Sequence, residues 1–90
     1  MELYSVAIGN IPLHDKKESE RIAKVLNDLE GFVAVHPHYP EGTLLFFESK
    51  NMAIIGRNVL NSEGIMTGRH ICLFDWDKEK EEVSFIRGID

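Results

Sequence analysis

Leu44, Leu45, Phe46 and Phe47 follow one another without interruption, opened by Gly42 and closed by the polar run Glu48-Ser-Lys-Asn51. A run of large apolar side chains that short, with no polar residue alternating through it, reads as a strand covered on both faces. Such a strand needs a neighbour along each edge and helices against at least one face. Ser49 offers an N-cap oxygen immediately afterwards, so strand passes to helix within a few residues.

The rest of the chain arranges itself around that strand. Residues 3–8 alternate, with Tyr4, Val6 and Ile8 on one face and Leu3, Ser5 and Ala7 on the other. Gly9-Asn-Ile-Pro12 breaks this first strand. Asp15-Lys-Lys-Glu18 has the form of a capping box, in which Asp15 and Glu18 each satisfy a free backbone N–H. Ile22, Val25, Leu26 and Leu29 then repeat at helical spacing, and Gly31 supplies a left-handed stop. Residues 32–36 read as a second strand, with Val33 and Val35 facing one way. Pro37 and Pro40 around His38-Tyr39 place it at a sheet edge or let it fray into a turn. A second helix is predicted over 50–61 with Met52, Ile55, Gly56, Val59 and Leu60 inward. Gly56 weakens a helix interior by about 1 kcal/mol relative to Ala, which implies close approach of this helix to the sheet. Residues 69–74 alternate as a fourth strand. After the charged tip 75–82, Val83, Phe85 and Arg87 alternate with Ser84 and Ile86 as a fifth. The order β-α-β-β-α-β-β, with right-handed crossovers, predicts an α+β ferredoxin-like sandwich. Its sheet order is 2-3-1-4-5, with both helices on one face and the fifth strand added as a hairpin.

Ninety residues suffice for one domain, 1–90, with a core of its own. No apolar run nears the ~20 residues of a membrane span, and residues 1–5 lack the layout of a signal peptide. A single cysteine, Cys72, precludes an internal disulfide and suits a reducing compartment, so a cytoplasmic location is expected. The formal net charge of −5 opposes non-specific nucleic-acid binding, which depends on Lys and Arg displacing counterions. The densest charge run, Asp75-Trp76-Asp77-Lys78-Glu79-Lys80-Glu81-Glu82, is mainly acidic; it reads as a solvated hairpin tip or as a docking site.

Val6-Ala-Ile-Gly-Asn-Ile11, the end of the third strand from Phe47 to Ala53, Leu60-Asn61 and Gly68-Arg-His-Ile71 together resemble the RNA recognition motif. The resemblance spans residues 6–74 and implies the same fold, with base-stacking rings on the two central strands. Those ring positions fall here on Ala7, Gly42 and Leu44, and the basic residue opening the third-strand signature is Pro40. Stacking contributes about 1–3 kcal/mol per base, so ordinary binding of single-stranded RNA through the sheet is not expected.

By alternation, the sheet face away from the helices carries Ser5, Ala7, Ala34, His36, Leu44, Phe46, His70, Cys72 and Phe74. Left open, that apolar surface would mark an interaction site. Alternatively Trp76, the fifth strand or the chain end folds over it. Two imidazoles at His36-x-His38, with His70, are a thin ligand set for zinc beside a lone thiol, so no metal site is expected. His70 and Cys72 stand two residues apart, about 7 Å along a strand, too far for direct activation of the thiol. Gly9-Asn-Ile-Pro12 lacks the spacing of a phosphate loop. Asp75 and Asp77, beside lysines, point to solvation over acid–base chemistry.

These readings converge on a non-enzymatic, cofactor-free binding module that acts through protein contact, with a protein partner or a second copy of itself. The candidate surfaces are the sheet face (Ala34, His36, Leu44, Phe46, His70, Cys72, Phe74) and the acidic hairpin (Asp75, Trp76, Asp77, Glu79, Glu81, Glu82). Two rivals are an RNA binder working through loops or helices, and a small acidic inhibitor of the phage or mobile-element kind that occupies the basic groove of a nucleic-acid enzyme.

Overall fold

The computed structural model of the chain describes residues 1–38 and 42–89, with the backbone alone at His38. The expected turn through Tyr39, Pro40 and Glu41 lies outside the described residues. The elements are β1 (Glu2–Ile8), α1 (Lys16–Asn27), β2 (Phe32–His38), β3 (Gly42–Phe47), α2 (Lys50–Ser62), β4 (Cys72–Asp77) and β5 (Glu82–Gly88). The strands form one antiparallel sheet in the order β2-β3-β1-β4-β5. This is the expected α+β, ferredoxin-like sandwich with an extra strand. All six residues of β3 are buried, as its unbroken apolar run requires.

The main core lies between sheet and helices. Val6, Ile8, Leu45 and Phe47 from the sheet, with Ile71 just before β4, meet Ile22 and Leu26 of α1 and Ala53 and Leu60 of α2. At Gly56 the α2 backbone comes close to the sheet. A Cβ built there would stand 2.6 Å from Cζ of the fully buried Phe47 ring. That ring is braced edge-on by Phe32, with centroids 5.9 Å apart, and has little room to retreat. Gly56→Ala therefore gains about 1 kcal/mol of helix propensity but incurs overpacking of about 1–3 kcal/mol. The expected result is a lower thermal midpoint, by a few degrees; a midpoint that rises instead would show that Phe47 can move.

Asp15 caps α1, its Oδ1 accepting the Glu18 N–H at 3.1 Å. The reciprocal half of the expected capping box is not made. The Asp15 N–H donates to Pro12 O at 3.0 Å, and the Glu18 carboxylate turns to Arg21, which donates from Nη2 at 2.6 Å and Nε at 3.2 Å. Arg21 wins because its fork binds both carboxylate oxygens, which one backbone N–H cannot. These hydrogen bonds hold the Glu18 carboxyl below its usual range. A carboxylate lowered in this way stabilises fully at neutral pH and loses its contribution as pH falls through the folded-state value. Arg21 Nη1 also donates to Glu63 O at 3.0 Å, tying α1 to the end of α2.

Ser49 caps α2, accepting the Met52 N–H at 3.2 Å. Gly64, at φ +78°, closes the helix: its N–H donates to Asn61 O and that of Ile65 to Leu60 O. Ile65 and Leu60 are both buried at that end, which completes a Schellman stop. Gly31 has φ +76°, but α1 already ends at Asn27, so this glycine shapes the turn into β2 and not the helix stop.

Three strand assignments need correction. β2 runs on through Pro37, which a ladder tolerates because β2 is an edge strand. Its register shifts between Phe32 and Ala34, so Val33 sits at a bulge. β4 starts at Cys72 and not at residue 69, and it extends through Trp76 and Asp77. Trp76 is held in the sheet by its N–H, which donates to Met1 O at 2.7 Å. In β5 a register shift opposite Leu73 and Phe74 sends Phe85 and Arg87 to opposite faces. A bulge of this kind inserts one unpaired residue, which a strict alternation of two cannot foresee.

Candidate functional site: the outer sheet face and the acidic hairpin

The face away from the helices has a small core of its own. Leu3, Leu44 and Phe46 are buried there, with Ala7, Phe74, Trp76 and Val83 packed around them. Phe46 is 1% exposed. Its ring lies nearly parallel to that of Trp76 at 6.4 Å, meets Phe74 edge-on at 5.6 Å, and has the His36 ring at 6.4 Å on its remaining flank. Leu44 and Phe46, which the sequence leaves open between exposure and self-cover, are therefore covered. Because β4 continues to Asp77, Trp76 is not in the tip but stands on the same face as Phe74 and contributes to covering Phe46. Of the two alternatives, the cover by Trp76 is the one observed.

Ala34 pairs with Phe46 and His36 with Leu44 across β2 and β3, and both are half-buried. Cys72, paired with Ser5, is half-buried and free. His70 precedes β4 and is exposed in the segment leading into it, so it does not occupy a strand position beside Cys72. The His38 side chain lies outside the described residues. Among the described residues, no three His, Cys, Asp or Glu side chains are gathered where a metal could be held.

The hairpin divides into working parts and free ones. Asp75 Oδ1 accepts from the Met1 ammonium at 3.0 Å. Asp77 is half-buried and its Oδ1 accepts the backbone N–H groups of Glu79 and Lys80, at 3.1 and 3.2 Å, which shapes the turn. Both carboxylates thus have local structural duties. Glu79, Glu81 and Glu82 are exposed. Glu81 has φ +53°, in the left-handed region that Gly or Asn occupies at less cost.

Two features escaped the sequence reading. Phe85 is 61% exposed on the outer face, its ring edge-on to Phe74 at 5.6 Å. The row His36, Phe46, Phe74, Phe85 with Trp76 stacked on it is therefore buried in the middle and open at the β5 end. The signal was available: closing the hairpin with a four-residue turn, 78–81, sets Val83 opposite Trp76 and Phe85 opposite Phe74. The second is an apolar groove of about 400 Å³ between α1 and β2, lined by Ile11, Leu13, Leu26, Phe32 and Val35. Leu13, 82% exposed, belongs to no periodic stripe, and that isolation was its only trace in the sequence.

Comparison of the chain with protein-family models, with curated proteins and with solved structures finds no match.

Among the described residues, no helix is long and apolar enough to cross a membrane.

Proposed function

We propose that the chain is a non-enzymatic, cytoplasmic binding module that takes a protein partner on the β5 end of its outer sheet face. The observation that carries this is Phe85, a large aromatic ring held out to water at 61% exposure while Phe74, which it meets edge-on, is half-buried. An aromatic anchor of this kind, set among carboxylates, suits a partner with an apolar pocket and a basic rim. Glu79, Glu81 and Glu82 are exposed and can face that rim. The lone unpaired cysteine supports a reducing compartment.

The resemblance to RNA recognition motifs contributes the scaffold to this reading and not the ligand. Ala7 and Leu44 face each other across β1 and β3, where that family stacks bases. The rings here have moved to the β4–β5 side, beside the acidic turn. A second reading, base stacking on Phe85 and Phe74, draws on that same ring pair. The acidic hairpin weighs against it.

The test is affinity capture from the source cells with wild type and Phe85→Ala, followed by affinity measurement on whatever is retained. Loss of an anchor worth about 2 kcal/mol should weaken a true partner roughly 30-fold. Lys17→Ala, on the exposed face of α1, should leave it unchanged. A partner indifferent to Phe85→Ala, or tight binding of a mixed single-stranded RNA pool that persists at high salt, would overturn the reading.

A further inference from the structure

β5 is the edge of the sheet beyond β4, and which of its backbone groups are free follows from the ladder. In an antiparallel strand the N–H and C=O of one residue point the same way, and successive residues alternate. The Trp76 N–H donates to Met1 O, so Trp76 is turned towards β1 and its neighbours Asp75 and Asp77 towards β5. Their partners Ser84 and Glu82 are turned back to β4. Val83 and Phe85 are then the residues whose N–H and C=O face away from the sheet. The Ile89 N–H, donating to Ile71 O at 2.7 Å, marks the far end of the same pattern beyond the bulge.

We propose that two copies of this chain pair through β5, antiparallel, with Val83 of each opposite Phe85 of the other, so that the two sheets join into one. This rests on the reading of the chain as a protein-contact module and names the second copy as a partner. Three features of the strand fit this register. The outward backbone groups of Val83 and Phe85 match reciprocally and would form four new hydrogen bonds. Val83 and Phe85 lie on the same outer face, so each apolar side chain meets the other across the joint. The strand is also charged oppositely at its two ends, with Glu81 and Glu82 at the start and Arg87 near the finish. Antiparallel pairing sets Arg87 of each copy beside Glu81 and Glu82 of the other, at both ends of the joint. Parallel pairing would instead align like charges. Pro37 and the bulge at Val33 blunt the opposite edge, β2, whereas the bulge of β5 lies beyond Phe85 and leaves the Val83–Phe85 stretch regular, so self-pairing is directed to β5.

A joint confined to one strand buries little surface, so a weak, concentration-dependent dimer is expected. Sedimentation velocity from low micromolar to near-millimolar concentration tests it, using two charge variants that leave Phe85 in place. Arg87→Glu alone sets like charges at both ends, and so does the double variant Glu81→Lys with Glu82→Lys. Each should raise the dimer dissociation constant about tenfold or more. Mixed together they restore complementarity at both ends, so a mixed dimer should form where neither variant dimerises alone. All the substituted side chains are exposed, and unchanged circular dichroism would show that the fold is intact. A wild type that stays monomeric at every concentration, or variants that dimerise as wild type does, would overturn self-pairing. Neither outcome touches the Phe85 capture experiment, which fails or succeeds on a different partner.

Discussion

Phe46→Glu is expected to leave the chain unfolded at neutral pH. From sequence alone Phe46 lies on the face away from the helices, where a charge would weaken association and spare the fold if the face were open, and unfold the chain if Trp76, the fifth strand or the chain end covered it. The structure decides for cover, because the ring is 1% exposed beneath Trp76, Phe74 and His36. Truncating a buried Phe costs about 3–5 kcal/mol. Burying an unpaired carboxylate among those rings adds several more unless it takes up a proton. A domain of this size has about 5–15 kcal/mol in total, and small domains lie at the low end. Circular dichroism and a thermal melt decide it. A cooperative melt near that of wild type would mean that Trp76 swings aside and the face opens. In that event the outer face becomes a partner surface over its whole breadth, not only at Phe85.

The course of the chain was legible because each element carries a local signal, although α2 is turned so that Ala53 is buried and Ile55, expected inward, is 58% exposed. The doubly buried β3, the Asp15 and Ser49 caps, the helical stripe of Ile22 and Leu26, and the close approach at Gly56 all follow from residue type and spacing. Where the outer face was misread, the cause is a bulge or a strand end. Nothing in 69–77 says that β4 should begin at Cys72 and carry Trp76 on its face. That depends on the pairing of Trp76 with the Met1 backbone, a contact 75 positions apart in the chain. Once Trp76 belongs to the strand, it comes into register over Phe46, and the apolar patch closes on itself. The exposure of Phe85 then follows from the same geometry. β5 is the last strand, and the face beside it ends there.

Leu26→Asp should also unfold the domain, for a reason that can be separated into two parts. Leu26 is 3% exposed, between the sheet residues of the main core and the groove beside β2. Removing the side chain costs about 2–5 kcal/mol for lost burial and cavity. A carboxylate in its place would add the desolvation of a charge that no cation in that core pairs with among the described residues. Leu26→Asn keeps the shape of the substitution and omits the charge, so it should be the less damaged of the two at neutral pH. Burial raises the folded-state pKa of a carboxyl at this position above its unfolded value. Its protonated form therefore favours the folded state, and the Asp variant should recover towards the Asn variant as pH falls through the raised value. Lys17→Ala, on the exposed side of the same helix, should melt close to wild type. Parallel urea titrations of the four proteins at pH 7 and pH 5 provide the comparison. If Leu26→Asp and Lys17→Ala have the same midpoint, α1 does not pack through Leu26 and the core between helix and sheet is misassigned.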